Sequence, residues 1–85
     1  MRKHGVSFEE AAELLAGKAD YLEIYDETHS GEEDRFIGIG PIAWGVILVV
    51  FTERDDEVVR IISARMATKL ERGRYEDFEK SRRRR

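Results

Sequence analysis

The run Arg60-Ile61-Ile62-Ser63-Ala64-Arg65-Met66-Ala67-Thr68-Lys69-Leu70-Glu71-Arg72-Gly73-Arg74-Tyr75 joins a strand pattern to a capped helix pattern and strings arginines, a lysine and a tyrosine along both. These groups, gathered without cysteine or a metal-ligand cluster, are the ones that bind a phosphodiester and stabilise negative charge on it. The residue types therefore point to a nucleic acid as the partner.

Those side chains need elements to hold them. Ser7 precedes Phe8-Glu9-Glu10 at the spacing of a capping box, with Val6 placed to staple the first turn, which predicts a helix from about Phe8 to Ala16 that stops at Gly17. Phe8, Ala11, Ala12, Leu15 and Ala16 fall on one face of it, so it packs against something. Tyr21 to Tyr25 reads as a short strand, and residues 26 to 34 as a polar, mainly acidic loop. Arg35 to Ile39 alternates, Gly45 to Thr52 is a continuous apolar run, and Val58 to Ser63 alternates again after a turn at Glu53-Arg54-Asp55-Asp56. Gly40, Pro41 and Gly45 punctuate the first of these connections, and the short spacings predict an antiparallel meander with the apolar run inside it. Thr68 and Glu71 repeat the capping-box spacing, so a second helix is expected from about Lys69 to Lys80, with Gly73 costing it about 1 kcal/mol relative to alanine. The expected architecture is α+β, a small antiparallel sheet of three or four strands with two flanking helices. One domain over residues 1 to 80 is followed by a frayed basic tail, residues 81 to 85.

Composition narrows the function classes. A chain of 85 residues holds one small domain with little core to spare. With no cysteine there is no disulfide framework or thiolate metal site, and two histidines are too few for an all-histidine zinc centre. No apolar run reaches the roughly 20 residues that span a bilayer, and no secretory leader opens the chain, so a cytoplasmic protein without membrane contact or cofactor is expected. The net charge of -3 hides a division: residues 1 to 53 carry four Lys/Arg against eleven Asp/Glu, and residues 54 to 85 carry eleven against seven. Phosphate would be drawn to the second half, or the charges simply solvate a small fold.

Taken in order, KHGVSFEEA at Lys3 to Ala11, the stretch Asp26 to Phe36 with its His29-Ser30 and Asp34-Arg35-Phe36, the apolar strand running into Thr52-Glu53-Arg54, and the run from Arg60 to Tyr75 resemble the BrnT family of small bacterial toxins. Each piece alone is weak, and the four in one order cover most of the chain. The resemblance implies a RelE-like fold and a ribonuclease that cuts RNA, arrests translation, and is held inactive by a ribbon-helix-helix antitoxin, BrnA, in a complex that binds its own operator. It also implies a strand and the beginning of a helix before the KHG segment, whereas this chain begins at Met1-Arg2-Lys3. A start placed too late or a shortened form is the corresponding expectation, with a sheet edge exposed and activity weakened.

RelE-like sites are expected to cleave without metal, using cations to stabilise the phosphate while the 2′-hydroxyl is deprotonated and the 5′-oxygen protonated. Arg65 is the leading phosphate clamp because it ends an apolar strand; the competing reading is an arginine that caps the next turn or pairs with an acid such as Glu71. Arg54 is the second candidate. With Thr52 pairing near Glu57, however, Arg54 and Arg65 are expected at opposite ends of the sheet, roughly 25 Å apart, and would serve different phosphates. Arg35 is expected opposite about Val50, and Arg60 reads equally as an RNA ligand or a solvated, ion-paired cation. Lys3 and His4 precede the first helix, and His4 is a candidate general acid or base or else orients the Gly5 turn. His29, in an acidic loop, reads as a surface residue. Tyr75 is a proton donor or stacking candidate set against a place in the core, while Arg72 and Arg74 are possible phosphate contacts indistinguishable from solvated charge. Trp44 reads as a packed residue before a base-stacking platform. The alternative to an enzyme is a non-catalytic protein of the same fold that binds antitoxin or RNA without cutting.

Overall fold

The computed structural model describes residues 5–17, 20–29, 33–54 and 58–83, the side chains of His29, Arg54 and Arg83 apart. Helix α1 (Phe8–Leu15) starts on the expected capping box: Ser7 Oγ accepts from the Glu10 N–H at 3.0 Å, and Glu10 Oε1 accepts from the Ser7 N–H at 2.9 Å. The helix is capped by Ala16, and Gly17 at φ 88° turns the chain away in the left-handed region that favours glycine.

Four strands then run as a meander, β1 (Leu22–Tyr25), β2 (Asp34–Ile42), β3 (Gly45–Arg54) and β4 (Val58–Met66), antiparallel in the spatial order β1-β2-β3-β4. A short 3₁₀ turn at Glu27–His29 lies between the first two. Helix α2 (Lys69–Arg83) closes the chain. The architecture is therefore α+β, as the alternation of patterns predicts. Among the described residues no helix is long and apolar enough to cross a membrane.

The unbroken apolar character of β3 follows from burial on both faces. Ile47, Val49 and Phe51 pack with Ala11 and Leu14 under α1, and Leu48 packs with Ile39 and Tyr75 under α2. On the α1 side Gly40 is required by a close approach, since a Cβ there would stand 2.6 Å from Tyr21 Cβ and 2.8 Å from Leu14 Cδ1.

Four elements are longer than their sequence patterns, β3 by taking in Glu53 and Arg54 from the expected turn. Strand β2 runs through Gly40 and Pro41 to Ile42, so the connection to β3 shrinks to a turn at Ala43 and Trp44. The proline is tolerated because β1 ends opposite Ile39. Beyond it, among the described residues, the β1-side edge of β2 has no strand partner that needs a donor. Strand β4 continues from Ser63 to Met66, and α2 continues past Lys80 to Arg83. Near the helix end Arg82 pairs with Asp20 and with Glu79, and its guanidinium stands 5.7 Å from the Phe78 ring centre, while Arg84 and Arg85 of the expected tail lie outside the described residues.

The register also differs from expectation. Thr52 pairs with Arg60, not near Glu57, and Arg35 lies opposite Thr52 rather than Val50. A bulge between Val50 and Phe51 leaves Ile62 as the extra residue of β4, which a count from the turn alone does not reveal.

Candidate functional site

The two faces of the sheet differ in cover. Helix α1 packs over β2, β3 and β4, whereas α2 packs mainly over β2 and β3, and the β4 residues on its side of the sheet are more exposed. Arg65 pairs with Leu48, Ser63 with Val50 and Arg60 with Thr52, so all three β4 residues share the face that carries α2. All three are exposed. Arg35 stands across Thr52 on the same face, giving a row of Arg35, Thr52 and Arg60 across three strands. Thr52 in the middle is buried, and a cavity of about 70 Å³ lined by Glu33, Thr52, Val58 and Arg60 opens beside it.

Arg65 has the most defined geometry. Its backbone lies between Leu48 of β3 and Gly5, which makes a single antiparallel bridge to it on the outer edge of β4. Its Nη1 donates to the Met66 carbonyl at 3.1 Å and to Glu71 Oε1 at 2.9 Å, and its Nη2 donates to Glu71 Oε2 at 2.9 Å. Glu71 closes the α2 capping box as well, accepting from the Thr68 N–H at 2.8 Å and donating its own N–H to Thr68 Oγ1 at 3.2 Å. The hydrogen bonds from Arg65 hold the Glu71 carboxyl down at about 2, and the same bonds raise the Arg65 guanidinium further above its ordinary value. The pairing with Glu71 is the competing reading of Arg65 from the sequence, and the guanidinium is held one residue before the end of β4 with its side chain still exposed.

The other candidates separate. Arg54 pairs with Val58 at the far end of the hairpin, six residues along β3 from Leu48, or about 20 Å from Arg65. The corrected register shortens the expected 25 Å and keeps the two arginines apart. Arg60, exposed on β4, is ion-paired with Glu33 at 3.1 Å, and Arg35 is within 3.9 Å of Asp26. Arg72 is exposed on the first turn of α2. Tyr75 is buried in the α2-side core, donates its hydroxyl to Glu79 at 3.1 Å, and has its phenol raised chiefly by burial. Lys3 and His4 lie outside the described residues, next in sequence to the bridging Gly5.

Trp44 is not packed away. It is 45% exposed at the β2–β3 turn, with its indole N–H donated to Glu10 Oε2 at 2.7 Å, so it is fixed to α1 by the carboxylate that caps that helix. Among the described residues two open clefts follow α2, one of about 520 Å³ along Leu70, Gly73 and Asp77 and one of about 460 Å³ between Phe78 and Leu22. Among the described residues no three histidine, cysteine, aspartate or glutamate side chains gather to hold a metal ion.

Sequence reasoning anticipated the Arg65–Glu71 pair as a competing reading, and the capping spacing of Thr68 and Glu71 was its signal. It missed Thr52, Ser63, Asp26 and Glu33. The first two become visible only with the register, and the two acids sit in a stretch that reads as ordinary polar loop.

The family model described as "Ribonuclease toxin, BrnT, of type II toxin-antitoxin system" matches residues 1–71. Neither the curated proteins nor the solved structures contain a match to the chain.

Proposed function

This chain belongs to the BrnT family of ribonuclease toxins of type II toxin-antitoxin systems, and on that premise we propose that it breaks RNA phosphodiester bonds without a metal, inhibits translation in the cytoplasm, and is neutralised by a BrnA-type ribbon-helix-helix antitoxin. The observation that carries the catalytic reading is Arg65, its backbone fixed between two partners and its side chain exposed on the α2 side of the sheet. A guanidinium held there binds the scissile phosphate and stabilises the charge that grows on it in the transition state. His4, one residue before Gly5, supplies the proton transfer, and Lys3 adds a cation beside it. Arg54 and Arg35 serve a flanking phosphate at the hairpin end, with Arg60 between the two regions and Arg72 on the helix side. Tyr75 is left out of the chemistry, because its hydroxyl is spent on Glu79 inside the core.

A second reading has its own support. The three sheet-face arginines Arg35, Arg60 and Arg65 lie next to Asp26, Glu33 and Glu71 respectively, so an acid beside each offsets its charge. A face of that kind has little of the net positive charge that drives RNA binding, and fits a protein that binds its antitoxin without cutting RNA.

Growth and RNA integrity after expression of the unmutated chain and of Arg65→Ala separate the two. The ribonuclease reading expects arrest and RNA loss only with the unmutated chain, and cleavage by purified protein that persists in EDTA. A soluble unmutated chain that leaves RNA intact and growth unchanged overturns it. Co-purification with a cognate BrnA-type antitoxin, and loss of cleavage in that complex, tests the partner.

A further inference from the structure

A guanidinium carries five N–H groups arranged as two forks, one at the Nη1/Nη2 end and one along the Nε/Nη2 side. In Arg65 the end fork is taken by Glu71, and the other N–H of Nη1 by the Met66 carbonyl. The Nε–H and the second Nη2–H remain, and among the described residues neither has an acceptor. The side chain is 52% exposed, and the exposed Ser63 lies two positions back on the same face of β4. Glu71 is difficult to displace, since its carboxylate also accepts from the Thr68 backbone N–H.

We propose that Glu71 is a positioning residue for phosphate recognition: it grips the end fork of Arg65 and thereby presents the Nε/Nη2 side fork to two non-bridging oxygens of an RNA phosphate. The inference rests on the ribonuclease reading and deepens it by naming which edge of the arginine meets the substrate and which residue aims it. Because the Arg65–Glu71 pair is close to neutral, this contact acts through geometry more than through net charge, and its loss falls on kcat more than on KM.

The test compares Glu71→Gln, which keeps an oxygen for the Thr68 cap but loses the carboxylate fork, with Thr68→Ala, which removes the capping hydroxyl and leaves the fork. Glu71→Gln is expected to lower kcat for RNA cleavage roughly 10-fold to 100-fold with a smaller change in KM, while Thr68→Ala at equal or greater loss of thermal stability leaves kcat near the unmutated value. In the Arg65→Ala background, the bare carboxylate repels RNA, so adding Glu71→Gln should recover part of the lost binding. Three results overturn the proposal: equal kcat losses in Glu71→Gln and Thr68→Ala, tighter RNA binding with unchanged kcat in Glu71→Gln, or an Arg65 Nε–H resonance that does not move when an oligonucleotide with a 2′-deoxy cleavage position is titrated into the ¹⁵N-labelled chain. The last measurement needs no turnover. A chain that leaves RNA intact therefore sinks the ribonuclease reading, while the Nε–H response still decides the fork.

Discussion

Gly5 and Arg65 are paired across the outer edge of β4, so the segment before α1 meets the strand that carries the candidate clamp although 60 residues separate them in sequence. His4 is the next residue back from that glycine in sequence and lies outside the described residues. If His4 moves the proton in RNA cleavage, His4→Ala should lower the rate by about 10²-fold to 10⁴-fold at neutral pH. It should also remove one limb of the pH–rate profile. A rising limb marks a base and a falling limb an acid. Unchanged cleavage by His4→Ala would take the histidine out of the site.

The Arg65–Glu71 pair makes a pH-dependent contribution to stability. Glu71 is lowered from 4.5 to about 2, chiefly by the hydrogen bonds from Arg65. A folded pKa below the unfolded one gives stability that is complete above the unfolded value and is lost as pH falls through the folded one. Glu71→Gln should therefore be less stable than the unmutated chain at pH 7 by about 1 kcal/mol, the scale of a partly exposed pair and a helix cap. That gap should shrink between pH 5 and pH 2. Thermal unfolding followed across this range checks it, with 1 kcal/mol corresponding to roughly 4–8 °C for a domain of this size. A gap that stays constant to pH 2 would show that the carboxylate contributes nothing as an anion.

Both capping boxes were legible in the sequence because Ser7 with Glu10 and Thr68 with Glu71 act over three residues. The apolar run of β3 was legible because burial between two helices leaves no polar alternation to mislead. The meander followed from short connections. What escaped depends on long-range pairing. Gly40 and Pro41 read as punctuation, yet they lie in β2 where β1 has already ended. The bulge at Ile62 and the hairpin closure at Arg54 and Val58 shifted the register and regrouped the arginines. The acids that neutralise Arg35 and Arg60 come from either side of the loop before β2, a placement that only the folded sheet creates.

Tyr75 offers a test of the core against the site. Its hydroxyl bonds to Glu79 on the next turn, and its ring lies with Ile39 and Leu48 and 6.3 Å from the Phe78 ring centre. Tyr75→Phe should cost about 0.5–1.5 kcal/mol for one hydrogen bond and leave RNA cleavage per folded molecule unchanged. Tyr75→Ala should cost about 3–5 kcal/mol by emptying part of the core. Denaturant unfolding measures both. A Tyr75→Phe protein that folds normally and cleaves tenfold more slowly would return the phenol to the chemistry.

Two glycines should respond to alanine with opposite signs. At Gly40 a Cβ would sit 2.6 Å from Tyr21 Cβ and 3.3 Å from its Cα, and the second of these is backbone that cannot rotate away. Gly40→Ala should destabilise by about 1–3 kcal/mol through overpacking between β2 and the segment before β1. At Gly73, inside α2, a Cβ would meet nothing within 4 Å, so the substitution adds helix propensity without a clash. Gly73→Ala should stabilise by about 0.5–1 kcal/mol, partly by restricting the unfolded chain. Measured together by urea denaturation, the pair tests the packing of the α1 face independently of any activity. A neutral Gly40→Ala would mean that Tyr21 has room to move and that α1 is less tightly seated than the packing of its Ala11 and Leu14 against β3 requires.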